Sequence, residues 1–127
     1  MTPTEIVTRF LDRWDLGIDE VETAFHDTFN EDTIYDNVGS VVTIGPREAT
    51  ALIREGSSRS GFVRMGYDML NVCEDGNKVY TERVDRFYDA GGVEFHSLRV
   101  IGIFEIDATA RISAWRDYFD SAAMDGF

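Results

Sequence analysis

A single cysteine, Cys73, is the whole thiol content of this 127-residue chain. It excludes an intrachain disulfide and makes a reducing cytoplasm the expected place of work, with the thiol itself expected buried or half-buried near a strand end. Basic side chains are also scarce, 12 against 24 acidic ones, for a formal net charge of −12. Such a surface repels phosphate backbones and anionic lipid, so neither nucleic acid nor a membrane surface is an expected partner; neutral, apolar ligands meet no such barrier. No stretch approaches the ~18 apolar residues that a membrane span requires. The opening MTPTEIVTRF lacks the basic region and apolar run of a secretory signal. The histidines, His26 and His96, lie far apart without Cys or carboxylate partners at ligand spacing, so no metal is expected. Gly56-Ser57-Ser58-Arg59-Ser60-Gly61 is no nucleophile elbow, and Gly91-Gly92 reads as a hairpin turn, not a phosphate cradle.

Apolar residues are plentiful: 43% of the chain is hydrophobic, with nine Phe, five Tyr and two Trp. A sizeable core is therefore expected in one domain covering residues 1–127. Thr2-Pro3-Thr4-Glu5 reads as a helix start with a capping box, followed by Ile6, Val7, Phe10, Leu11 and Trp14 at helical spacing up to Gly17. A second helix is expected from Asp19 to about Phe29, with Val21, Ala24, Phe25 and Phe29 as its apolar stripe. Residues 33–44 read as one extended segment, Gly45-Pro46 opens a third helix through Leu52 and Ile53, and 56–61 reads as a flexible loop. Four strands are then expected near 62–73, 78–88, 93–106 and 111–120, separated by turn chemistry at Asp75-Gly76-Asn77, Asp89 to Gly92 and Asp107-Ala108-Thr109. Helices first and a meander afterwards predict an α+β domain: a strongly curved, mixed but mainly antiparallel β-sheet wrapped around N-terminal helices, leaving a cone-shaped pocket.

Side chains alternate across a strand, so residues two apart share a face. Arg83, Asp85 and Phe87 share one such face, and Trp115, Asp117 and Phe119 share another; each mixes a carboxylate with large aromatics. Tyr35 and Asn37 form a third pair of this kind, while Leu98, Val100, Gly102 and Phe104 make an uncharged wall opposite Arg99. On spacing alone, an ion-pair network explains Arg83, Asp85 and Asp117 better than catalysis does, because charges two apart on strands are common. Core packing is the better explanation of Phe87, Val100, Trp115 and Phe119. If the two faces look into one cavity, two carboxylates in a dry pocket cannot both ionise cheaply, and one keeps a proton. An arginine between them gives a general acid and a general base a few ångströms apart. Epoxide opening needs that combination, because the ring oxygen gains a proton while a water loses one.

The strings TERVDRF (81–87) and ISAWRDYFD (112–120), with Tyr35-Asp36-Asn37 upstream, resemble the limonene-epoxide hydrolase family, within the superfamily of nuclear transport factor 2 and ketosteroid isomerase. The resemblance runs from about Phe29 to Asp120. It implies a cofactor-free epoxide hydrolase acting on a small apolar epoxide and water, with Asp85 as general acid, Asp117 as the base that activates water, and Arg83 as their bridge. Tyr35 and Asn37 match its water-holding residues, and Phe87, Leu98, Val100, Trp115 and Phe119 are expected to line the substrate pocket. A homodimer is implied as well. After Asn37 the family has a proline-rich loop where this chain has Val38-Gly39-Ser40-Val41-Val42, so a differently shaped mouth is expected. Two other uses of such a cone are an isomerase or epoxide-opening cyclase of the same superfamily, and a non-catalytic binding module.

Overall fold

The computed structural model describes residues 1–125 and 127. Helix α1 spans Pro3–Asp12 and starts as its sequence dictates. The Thr2 hydroxyl accepts from Glu5 N at 3.1 Å and Glu5 Oε1 accepts from Thr2 N at 3.0 Å, closing the capping box. Its stripe of Ile6, Val7, Phe10 and Leu11 is buried. The helix stops earlier than its periodicity suggests, passing into a 3₁₀ turn, Arg13–Leu16, that buries Trp14 before Gly17 (φ +109°) turns the chain. Helix α2, Ile18–Thr28, buries Val21, Ala24 and Phe25. Phe29 is not part of its stripe: with extended dihedrals it begins strand β1, Phe29–Asn37, and enters the core from there. Its ring and those of Phe25 and Trp115 surround Phe10 at 5.4–5.8 Å.

Residues 33–44 do not form one extended segment. The chain turns through Gly39 (φ +82°) into strand β2, Val42–Ile44, which runs back antiparallel to β1. Helix α3 then runs Gly45–Ser60, so the predicted loop at 56–61 is helical to its last residue but one. Phe62 packs in ordinary contact, 3.5 Å from where a Gly56 Cβ would be, and the serines satisfy the helix end locally. Ser60 Oγ donates to Gly56 O at 2.7 Å, and Ser57 Oγ to Phe62 O at 2.6 Å. Gly61 (φ +88°) closes the helix in the left-handed conformation, which costs glycine nothing.

Strands β3 (Arg64–Asp75), β4 (Lys78–Tyr88), β5 (Glu94–Ile106) and β6 (Ile112–Tyr118) follow, within two residues of the expected bounds. They pair antiparallel in sequence order, and β1 joins β6 in parallel, giving the sheet order β2-β1-β6-β5-β4-β3. The sheet is mixed and curved, and with the three helices it forms the expected α+β architecture. Strand β4 alternates strictly, with Val79, Thr81, Arg83, Asp85 and Phe87 all buried. A charged trio on the inner face of a sheet departs from ordinary patterning. Cys73, contrary to expectation, is exposed: it pairs with the exposed Tyr80, on the face of β4 opposite buried Val79 and Thr81. No helix among the described residues is long and apolar enough to cross a membrane.

Candidate active site

Strand register brings the predicted residues together. Thr81 of β4 is opposite Gly102 of β5, Gly102 is opposite Asp117 of β6, and Asp117 is opposite Asn37 of β1. One row therefore crosses four strands. The neighbouring row holds Val79, Phe104, Trp115 and Tyr35. Arg83 stands one step along β4, and its side chain reaches across β5 over Gly102 to meet Asp117. A Cβ on Gly102 would lie 2.3 Å from Arg83 Nη1 and 2.5 Å from Asp117 Oδ1, so the missing side chain is the opening through which the guanidinium spans two strands.

The guanidinium binds both acids. Arg83 Nε donates to Asp85 Oδ1 at 3.1 Å and Nη2 to Asp85 Oδ2 at 3.0 Å. Nη2 also donates to Asp117 Oδ2 at 3.0 Å, and Nη1 to Asp117 Oδ1 at 3.4 Å. Thr81 Oγ1 accepts from Nη1 at 2.9 Å and donates to Gly102 O at 3.0 Å. Trp115 Nε1 donates to Asp117 Oδ1 at 2.6 Å. Arg83 is 1% exposed, Asp117 4% and Asp85 8%. Spacing did not show the parts played by Thr81, Gly102 and the Trp115 N–H. Each depends on a neighbouring strand or a side-chain rotamer, which no single-strand pattern contains.

Two carboxylates against one guanidinium leave a negative charge uncancelled in a buried site, and one proton neutralises it. Burial pushes the Asp117 carboxyl above the usual carboxylate range; Arg83 opposes this, and the Asp85 charge adds to it. Desolvation alone would lower the Arg83 pKa, but the charges of Asp117 and Asp85 more than reverse it, so the cation is permanent. Burial also raises the Tyr35 hydroxyl, with a further contribution from the charge of Asp117, so the phenol keeps its proton. Tyr35 is held flat against Trp115, with centroids 4.1 Å apart and planes 10° from parallel.

These groups face a chamber of about 440 Å³. Tyr35, Asn37, Asp85 and Asp117 stand at its polar end, with Ser40 and Val41 of the hairpin turn also in its lining. Phe87, Leu98 and Phe119 line it as expected; Val100 is buried behind them in the same apolar cluster. Trp115 instead borders a smaller recess of about 30 Å³, shared with Tyr35, Arg83, Asp85 and Asp117. By size that recess admits roughly one or two waters. Phe62, Met124 and Phe127 complete the apolar end of the chamber and were not foreseen. Met124 and Phe127 lie outside the strands and enter with the C-terminal segment, while Phe62, expected at the start of a strand, sits between α3 and β3. His26 is exposed, and His96 is half-buried against Phe87.

The family model for the limonene-1,2-epoxide hydrolase catalytic domain matches residues 1–125. Among curated proteins, epoxide hydrolase EphG of Mycobacterium tuberculosis is 37% identical over 103 residues, 80% of this chain. The chain spans 62% of the length of that relative. Among solved structures, an LEH-like epoxide hydrolase of M. tuberculosis has a TM-score of 0.75 and 29% identity, covering 98% of this chain and 87% of that one. A protein of Shewanella denitrificans described as SnoaL-like polyketide cyclase reaches a TM-score of 0.79 over 97% of this chain and 93% of its own. At 12% identity that is a likeness of fold alone.

Proposed function

The chain belongs to the limonene-1,2-epoxide hydrolase family, and from that membership we propose that it adds water to a small apolar epoxide, giving a vicinal diol in one step without a cofactor. The supporting observation is the pair of buried carboxylates held by one guanidinium at the end of an apolar chamber. Asp117 takes a proton from water, and the water oxygen forms a bond to one epoxide carbon. The carbon–oxygen bond at that centre breaks, and Asp85 gives its proton to the departing ring oxygen. Asp117 ends protonated and Asp85 ionised, and transfer of one proton restores the pair. Arg83 fixes both carboxyls and stabilises whichever is charged. Tyr35 and Asn37 hold the water beside Asp117. The Trp115 N–H holds Asp117 in position.

This reading takes residues 1–127 as one catalytic domain working in the cytoplasm, and as a homodimer. The outer face of the sheet supports the dimer: Ile34, Ile44, Ile101 and Tyr118 are exposed there, with Ile34 opposite Ile44 and Ile101 opposite Tyr118. Sedimentation at twice the chain mass is the expected result.

Product analysis in oxygen-18 water tests the reaction. A panel of terpene, cycloalkene and styrene oxides is expected to give diol carrying one labelled oxygen. An isomerase or an internal cyclase would give products without label. The pH dependence has a defined sign. A base works only when ionised, and Asp117 is raised, so kcat/KM should climb with pH through an inflection above the ~3.9 of an ordinary aspartate. A profile flat down to pH ~4 would remove Asp117 from the role of base.

A further inference from the structure

Strand β4 fixes the distance between the polar and apolar ends of the chamber. Asp85 and Phe87 are two residues apart on one face, so their backbone positions stand about 7 Å apart along the chamber. Phe62 meets that ring edge-on at 5.3 Å; both are almost fully buried, at 2% and 4% exposed. Phe127 meets both of them. Its ring stacks on Phe62 at 5.7 Å and 15°, and contacts Phe87 at 4.5 Å and 68°. It also lies 4.9 Å from His96 and 6.1 Å from the exposed ring of Phe95. Arg59 of α3 donates through Nε to the main-chain oxygen of Phe127 at 3.2 Å, tying this residue to the helix that forms the chamber's other side. Phe127 lines the chamber and is only half-buried, so it stands between the fixed rings and the outside.

We infer that the Phe127 ring is the end wall of the chamber and sets how long an apolar substituent the site accepts beyond the oxirane. The inference rests on the epoxide-hydrolase reading for its substrate, but the wall itself is a matter of packing. An oxirane held at Asp85 and Asp117 must place its substituent along Phe87. A chain or ring longer than that span meets a wall held by two buried aromatics and a helix. The pocket is closed in that direction and accepts length only if Phe127 moves.

The test is a length series of terminal straight-chain epoxides, from epoxybutane to epoxydodecane, with wild type, Phe127→Ala and Phe127→Trp. Phe127→Ala should raise kcat/KM for the longest epoxides relative to the shortest by about tenfold or more, since one methylene too many in a closed pocket is worth about 10–200-fold. Phe127→Trp should shift the cut-off the other way. Because the readout is a ratio within each variant, a general loss of activity cancels. Calorimetric binding of the matching vicinal diols repeats the series without chemistry. A diol length limit that moves in Phe127→Ala, with no epoxide hydrolysed by wild type, would sustain the wall and sink the hydrolase reading. Labelled diol from wild type, with the same length profile in all three proteins, would overturn the wall.

Discussion

Asp117→Asn should lower the rate of diol formation by about 10²–10⁴, the usual worth of a positioned general base, and should leave the protein folded. Asn keeps the size of the side chain and an oxygen to accept from the Trp115 N–H, which lies 2.6 Å from Asp117 Oδ1. Arg83 keeps Asp85 as its counter-ion, so one cation faces one anion. Stability follows from the sign of the shift. A carboxyl raised by burial stabilises the fold in its protonated form; that contribution is complete below the unfolded-state pKa and is lost as pH rises through the folded-state value. Burial thus penalises the ionised form of Asp117, and a neutral amide should be tolerated as well or better. Initial rates with thermal melts at pH 7 check both halves. A variant within tenfold of wild type would mean that something else activates the water. A variant that unfolds would mean that the Asp117 charge holds the sheet together.

Gly102→Ala carries the second large effect although no chemistry is assigned to the residue. The backbone of Gly102 needs no positive φ, so alanine is conformationally acceptable there. The obstacle is the Cβ, at 2.3 Å from Arg83 Nη1, 2.5 Å from Asp117 Oδ1 and 2.9 Å from Thr81 Oγ1. None of these atoms is free to swing away, because each is buried and already hydrogen-bonded within the network. The guanidinium must leave its place over β5, and misplacement by about 1 Å can cost roughly 10² in rate. Overpacking should cost about 1–3 kcal/mol of stability as well. Denaturant unfolding and steady-state kinetics on the same preparation measure both. Near-normal turnover and an unchanged midpoint would show that Arg83 does not need the gap.

Much of this site was legible because β4 obeys the rule of alternation. Arg83, Asp85 and Phe87 fall on one face in the sequence, and all three are buried on the inner face of the sheet. Trp115 and Asp117 follow the same rule on β6. The start of α1 was legible for a local reason, since Thr2 and Glu5 satisfy each other within one turn. Features set by contacts between distant elements were not. Gly102 looks like a gap in an apolar strand until β4 and β6 are placed on either side of it. Residues 56–60 read as loop by composition, yet they complete α3, where Ser57 and Ser60 bond main-chain oxygens at the helix end. Phe127 carries no pattern at all, and its position against Phe62 and Phe87 exists only after the C-terminal segment folds back. Exposure of Cys73 belongs to the same group, because it depends on the register that pairs it with the outward-facing Tyr80.

The central proposal is that Asp117 acts on water as a base and never bonds to the substrate. A single turnover with enzyme in excess, in oxygen-18 water, separates the two possibilities. If water attacks directly, the first diol formed carries one labelled oxygen and the protein carries none. If a carboxylate attacks first, the ester it forms is hydrolysed by labelled water at the acyl carbon. The first diol is then unlabelled, and the label appears on the aspartate. Labelled first-turnover diol, absent with Asp117→Asn, is the expected result; unlabelled diol with label on Asp117 or Asp85 would contradict it.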